Sequence, residues 1–238
     1  MTAPETDAKQ PQRVREMFGR IVPRYDLMNR VMSGGFDRRW RRLAAAAAEP
    51  LNCRVLDIGT GTGDLARELR RQGARQVVGG DFTRPMLLAA RNKPALARDG
   101  GVVWVQADAL HLPFPDASFD AVTSGFVLRN LHDLPAGLRE MLRVLTPGGR
   151  LVALDITHPP AGAMGSVLQT GFQRVVTPIA GLLSGDRDAY RYLPSSLEGF
   201  PTAEALEQLL REAGAAHASH RRLGGGSVAL HSARKPAV

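Results

Sequence analysis

The sequence predicts an α/β fold built on a seven-stranded, mostly parallel sheet that closes with an antiparallel hairpin strand, capped by N-terminal helices and a helical insertion. Three observations carry that expectation. Beyond Pro50, short β-type runs alternate with helical stretches, as βαβ units require. The first run turns through a glycine-rich loop into a helix, and the last two runs flank a triple glycine. A chain of 238 residues, 44% hydrophobic and 23% charged, carries enough apolar surface for one domain with a real core.

Taken in order, Met1 to Gln12 is polar, holds Pro4 and Pro11, and is expected to be disordered; it does not read as a secretory signal. Residues 13–48 read as a helical cap. Val14, Met17, Phe18, Ile21 and Val22 recur at helical spacing until Pro23 interrupts them. A second helix, Tyr25 to Met32, places Leu27, Met28, Val31 and Met32 on one side and Tyr25, Asp26 and Asn29 on the other. The alanine-rich stretch from Arg38 to Ala48 makes a third. Strands are expected at 53–58, 76–81, 101–108, 119–126 and 148–156, with helices at 65–72, 85–91 and 135–145 between them. Residues 161–192 read as the helical insertion and 202–213 as a further helix. A hairpin from 217–222 and 227–231 follows.

Composition narrows the function classes. The near-apolar region 161–185 is broken by Gln169, Gln173 and Arg174, and no run approaches the roughly 18 residues a spanning helix needs. The single cysteine, Cys53, allows neither an internal disulfide nor a thiolate metal cluster, which suits the cytoplasm. His217 and His220 lack a third ligand at sensible spacing, so no metal is expected. The formal charge is +8, and Arg13 to Arg42 holds nine arginines against Glu16, Asp26 and Asp37. That patch suits an anionic membrane surface or nucleic acid, or is simply a solvated helical face.

The chemistry begins at VLDIGTGTGDL, Val55 to Leu65, where a strand carrying Asp57 turns through Gly59, Gly61 and Gly63 into a helix. Such glycines let a ligand approach the backbone closely. The dinucleotide fingerprint requires glycine at position 64, where this chain has Asp64, and a carboxylate beside a pyrophosphate is unfavourable. S-adenosylmethionine, with its sulfonium and ammonium, has no such objection, and Asp57 and Asp64 would help balance its charge. Asp81 closes the second strand, 18 residues beyond Gly63, and Asp108 closes the third. An acid at the second strand end can accept both ribose hydroxyls, and one at the third can take the adenine amine. Each acid alone also fits an ordinary cap or solvated loop.

With the GTGTGD loop, Asp81, the VQADALHLPFPDASFD segment and the LTPGGRL turn, the chain resembles the class I S-adenosylmethionine-dependent methyltransferases, which implies a Rossmann-like sheet. YDLMNRVMSGGFDRRWRR at 25–42, FVLRNLHD at 126–133 and DAYRYLPSSLEGFPTAEAL at 188–206 narrow the resemblance. It becomes the quinone C-methyltransferases of menaquinone and ubiquinone biosynthesis, over about Arg13 to Arg234. Gly125 and DITHP at 155–159 lean towards the demethylmenaquinone branch, because relatives on the ubiquinone branch often carry Ser at position 125. The resemblance implies cofactor contacts at Thr62, Asp81, Asp108 and Ala109; Gly125 joins Asp57, Gly59, Gly61 and Gly63 as further cofactor-binding candidates.

It also implies a polyprenylated quinol as substrate, methylated at a ring carbon. Deprotonating a ring hydroxyl, with a pKa near ~10, pushes charge onto that carbon. Arg129 would stabilise the resulting oxyanion, Asn130 orient a ring oxygen and His132 accept the proton. Two have a plainer alternative: Arg129 pairing with Asp133 or Asp26, and His132 as a solvated loop histidine. Tyr25, Asp26 and Asn29 either line the substrate pocket as a lid or only cap and pack the N-terminal region. Tyr190 and Tyr192 either touch the quinol ring or pack. The apolar insertion either lines a channel for the isoprenoid tail or forms a cap core or a homodimer interface. With the basic helices, it would dock peripherally on the inner face of the membrane. Competing readings are methylation of the benzoquinol precursor of ubiquinone, nucleic-acid methylation, and a non-catalytic S-adenosylmethionine-binding regulator. Against nucleic acid, the fourth strand leads into GFVLRN rather than an Asn/Asp-Pro-Pro-aromatic motif, and Cys53 precedes the first strand.

Overall fold

A computed structural model of the chain describes residues 11–93, 102–159 and 196–238. Its strands are β1 Arg54–Ile58, β2 Gln76–Asp81, β3 Val102–Gln106, β4 Phe119–Gly125, β5 Leu145–Ile156, β6 His217–Leu223 and β7 Val228–Arg234. They form one seven-stranded sheet in the order β3-β2-β1-β4-β5-β7-β6. The first five pair in parallel, and β7 runs antiparallel to both β5 and β6. The terminal hairpin thus inserts its second strand between β5 and β6, as His217↔Arg234 and Leu223↔Val228 show at its two ends.

Among the described residues six α-helices accompany the sheet: α1 Pro11–Met32, α2 Asp37–Ala47, α3 Asp64–Arg71, α4 Arg84–Asn92, α5 Leu134–Arg143 and α6 Ala203–Glu212. Their starts are chemically marked. Asp133 accepts the Ala136 N–H at 2.9 Å ahead of α5, and Thr202 accepts the Ala205 N–H at 3.2 Å ahead of α6. Because side chains alternate along a strand, the sheet buries two faces. On one, Val55, Val77, Ala121, Val152 and Leu154 pack with Ala44, Ala45, Leu65 and Leu69 of α2 and α3. On the other, Leu56, Ile58, Val122 and Leu151 pack with Leu138 and Met141 of α5 and Leu206 and Leu210 of α6.

Two expectations change. Pro23 does not separate two helices, since α1 runs unbroken through it. Pro23 has no N–H to offer the Gly19 carbonyl, so the local preference is against continuity. The helix continues because tertiary contacts hold both sides: Met17 and Ile21 are buried before the proline, and Asp26 is tied to Thr62 and Lys93 after it. α1 also begins at Pro11, inside the stretch expected to be disordered. The insertion at 161–192, with Tyr190 and Tyr192, lies outside the described residues.

β1 lies between β2 and β4, so the chain winds outward through β2 and β3 and then returns to the other side of β1. In open α/β sheets that reversal opens a crevice at the carboxyl ends of the strands.

Candidate active site

From Ile58 the backbone turns through Gly59, Gly61 and Gly63 at φ of 64°, 57° and 83°, a region that side chains disfavour. At Gly59 a Cβ would stand 2.1 Å from a methyl of Val127, so only glycine lets this loop close against the segment after β4. The Gly61 N–H donates to Asp81 Oδ2 at 2.8 Å, which pins the loop to the end of β2. Thr62 Oγ1 donates to Asp26 Oδ1 at 2.5 Å, which ties the same loop to α1.

The three acids take different positions. Asp81 ends β2 and borders a cavity of about 830 Å³, partly open to solvent, together with Gly59, Gly61, Asp108 and Ala109. Besides Gly61, Asp81 accepts the Thr83 N–H at 2.8 Å, and burial pushes its carboxyl up against those two bonds. Asp108 does not close β3, which stops at Gln106; it sits in the turn beyond, where its carboxylate accepts the Leu110 N–H at 2.9 Å. Asp57 lies one residue before the end of β1 and borders neither of the cavities described here. Its oxygens accept the Thr60 hydroxyl at 2.6 Å and the Thr123 hydroxyl at 2.8 Å, so it fastens the loop from beneath. Asp64 does not face a ligand's charge alone: Lys93 pairs with it at 3.0 Å and with Asp26 at 2.6 Å. Burial opposes ionisation of Asp64, but Lys93 prevails and holds its carboxyl below the usual range.

Burial pushes the Asp57 carboxyl up to about 6, against hydrogen bonds from Thr60 and Thr123 that pull it down. A carboxyl with a folded value above its unfolded value binds more protons when folded, so its contribution to stability grows as pH falls between about 7 and 4. Asp57→Asn removes that dependence. The stability difference between wild type and Asp57→Asn, measured by urea unfolding, should shift towards wild type by about 2 kcal/mol from pH 7.5 to 4.5. A difference independent of pH would contradict this role.

The polar cluster after β4 divides between two cavities. Asn130 and His132 border the first; Arg129 borders a second, of about 950 Å³, with Asn29, Phe36 and Trp40. Arg129 pairs with neither Asp133 nor Asp26. Its guanidinium meets Asp155 at 2.5 Å, and the Arg129 backbone N–H donates to the same carboxylate at 3.3 Å. Asp133 is occupied as the cap of α5, and Asp26 by Thr62 and Lys93. Tyr25 borders the first cavity, its ring against Gly61 and edge-on to Phe18. Asp26 borders neither, acting instead as the latch between α1, the glycine loop and Lys93. Thr62, Gly63 and Gly125 also stand off both linings. Among the described residues no group of three His, Cys, Asp or Glu side chains could hold a metal ion.

The sequence reading missed Phe126, Asp155, Lys93 and Arg41. Phe126 borders both cavities, at a left-handed φ of 65° that an aromatic residue rarely adopts. Its N–H donates to the Leu154 carbonyl at 2.7 Å, and its ring lies 5.2 Å from the Arg41 guanidinium and 6.0 Å from that of Arg129. For Arg41 a signal existed: it falls in register with Ala44, Ala45 and Ala48 on a helix stripe whose one other polar member is Asp37 a turn before it.

Comparison with known proteins places this geometry in context. The model of the ubiE/COQ5 methyltransferase family matches residues 5–235. A demethylmenaquinone methyltransferase of Thermus thermophilus is 50% identical over 222 residues, covering 92% of this chain and 100% of that protein. One from Deinococcus radiodurans is 51% identical over 205 residues, covering 85% of each. A solved SAM-dependent methyltransferase of Thermotoga maritima superimposes with a TM-score of 0.66 at 20% identity, covering 93% of this chain and 99% of that one, a likeness of fold.

Proposed function

This chain belongs to the ubiE/COQ5 methyltransferase family, and from that membership we propose that it methylates a ring carbon of a polyprenyl quinol, demethylmenaquinol giving menaquinol, with S-adenosyl-L-methionine as methyl donor. The observation that carries the cofactor is the crevice at the sheet's switch point. There the glycine loop, closed against Val127 because Gly59 has no Cβ, borders one cavity with the carboxylates of Asp81 and Asp108, which suit a nucleoside. When bound, S-adenosyl-L-methionine supplies an electrophilic methyl on a sulfonium. The chain's own residues bind and orient: Asp81 accepts from the ribose hydroxyls, Asp108 and Ala109 meet the adenine edge, and Tyr25 closes over the loop.

The quinol ring occupies the second cavity in this reading, because aromatic Phe36, Trp40 and Phe126 line it and Arg129 is the cation on its wall. Asp155 fixes that guanidinium, and its remaining N–H donors stabilise the ring oxyanion as charge moves to the attacking carbon. Asn29 stands on the same wall to orient a ring oxygen, while Asn130 and His132 serve from the cofactor side. Assaying paired demethylated naphthoquinol and benzoquinol substrates tests the branch. Preference for the naphthoquinol is expected; preference for the benzoquinol would shift the assignment to ubiquinone.

A lipid substrate calls for contact with a bilayer surface. No helix among the described residues is long and apolar enough to cross a membrane. Leu27, Val31 and Phe36 are nonetheless exposed at 53%, 39% and 55%, beside exposed Arg30, Arg38 and Arg39. That mixture of apolar and basic groups suits peripheral docking on anionic lipid. Co-sedimentation with phosphatidylglycerol vesicles should fall several-fold in Leu27→Ser/Phe36→Ser. Equal sedimentation of the variant would remove this surface from the docking face.

A further inference from the structure

Among the described residues Arg41 is a buried charge with no ion-pair or hydrogen-bond partner. It extends from α2 towards the end of β4, only 7% exposed, and its Nε is enclosed with no hydrogen-bond partner. None of the ion pairs among the described residues includes it. The contrast with Arg129 is direct: equally buried at 7%, Arg129 has Asp155 at 2.5 Å. The acids that feel the charge of Arg41 are committed elsewhere, Asp57 to two threonine hydroxyls and Asp64 to Lys93. A guanidinium offers five donors, and burying one without acceptors is strongly unfavourable. The position is suited to an anion supplied from outside the chain.

We infer that Arg41 receives the α-carboxylate of S-adenosyl-L-methionine, an assignment that rests on the cofactor reading above. The adenosine half of that molecule belongs with the acids Asp81 and Asp108. Its amino-acid half then extends across the glycine loop towards the end of β4, where Gly59, Phe126 and Val127 border the same cavity. Arg41 stands behind that end: it lines neither cavity itself, but its guanidinium reaches the end of β4 and the Phe126 ring, which lines both. Its Nη1 is 3.4 Å from the point a Cβ on Gly125 would occupy, so the missing side chain leaves room on the guanidinium's flank. The Phe126 ring covers another side at 5.2 Å. A carboxylate brought near Asp57 and Asp64 would be repelled without a nearby cation; Lys93 is taken up by Asp64 and Asp26, whereas Arg41, whose charge acts on both Asp57 and Asp64, has no ion pair of its own among the described residues.

The test removes the carboxylate from the ligand and the guanidinium from the protein in one cycle. Dissociation constants are measured by calorimetry for S-adenosylhomocysteine and for its decarboxylated analogue, which keeps the nucleoside, thioether and ammonium. Wild type should bind the analogue about 10- to 100-fold more weakly, as a charge-assisted pair implies. In Arg41→Met that difference should shrink below about 3-fold, with Arg41→Lys between the two. A purely structural arginine would weaken both ligands together and leave their ratio unchanged, which overturns the assignment. The wild-type comparison needs no variant: if wild type binds both ligands within about 3-fold of each other, Arg41 does not hold a carboxylate. If wild type fails to bind S-adenosylhomocysteine at all, the cofactor reading itself falls, an outcome distinct from loss of the ratio.

Discussion

Asp81→Ala lowers affinity for S-adenosyl-L-methionine by about 100-fold or more, because one carboxylate does two things at once. It accepts the Gly61 and Thr83 N–H groups, each at 2.8 Å, and so sets the shape of the glycine loop. It also faces the cavity, where it accepts from the ribose hydroxyls in the proposed complex. Truncation strands two backbone donors, at about 1–3 kcal/mol for each left unsatisfied, and removes the ribose contact in addition. Calorimetric titration measures the loss directly. Asp81→Asn, which keeps an acceptor for one of the N–H groups, should lose less. A change in Kd smaller than about 3-fold for Asp81→Ala would place the nucleoside elsewhere.

The second large effect separates chemistry from structure at Arg129. Arg129→Ala should reduce turnover with the quinol by about 100- to 1000-fold, the scale seen on removing one oxyanion donor. Cofactor affinity should stay within about 3-fold, since Arg129 borders the second cavity and not the first. The same substitution leaves Asp155, 2% exposed, without its cation, and removing one member of a buried pair costs about 3–5 kcal/mol of stability. Arg129→Met/Asp155→Asn removes that stranded charge. Its thermal stability should return most of the way to wild type while turnover stays low. If turnover recovers along with stability, Arg129 is structural glue and the quinol's oxyanion is stabilised by another group.

Much of the fold was legible because its signals are local. β-branched runs bounded by glycine mark the parallel strands, and the triple glycine marks the hairpin that places β7 between β5 and β6. Capping residues such as Asp133 and Thr202 fix helix starts to within a residue or two. The break expected at Pro23 failed because burial of Met17 and Ile21 and the Asp26 latch outweigh a single missing hydrogen bond. The site was legible by position and less so by role. The acids lie near the expected strand ends, yet which of them faces the cavity depends on side-chain direction: Asp81 does, whereas Asp57 turns to Thr60 and Thr123. Partner choice across the chain was out of reach. Arg129 finds Asp155, 26 residues away, and Lys93 finds Asp26 and Asp64, because folding brings together groups with no local relation. Arg41 shows the converse, a charged residue on a largely alanine stripe whose meaning appears only once the fold shows it buried with no ion pair among the described residues.

Methyl transfer from labelled S-adenosyl-L-methionine to chemically reduced demethylated naphthoquinol, run beside the oxidised naphthoquinone and an RNA control, bears most directly on the proposed activity. A ring C-methyl product from the quinol, with none from the oxidised quinone, is the expected result. Label appearing in RNA and never in the quinol, or equal methylation of quinol and quinone, would contradict it.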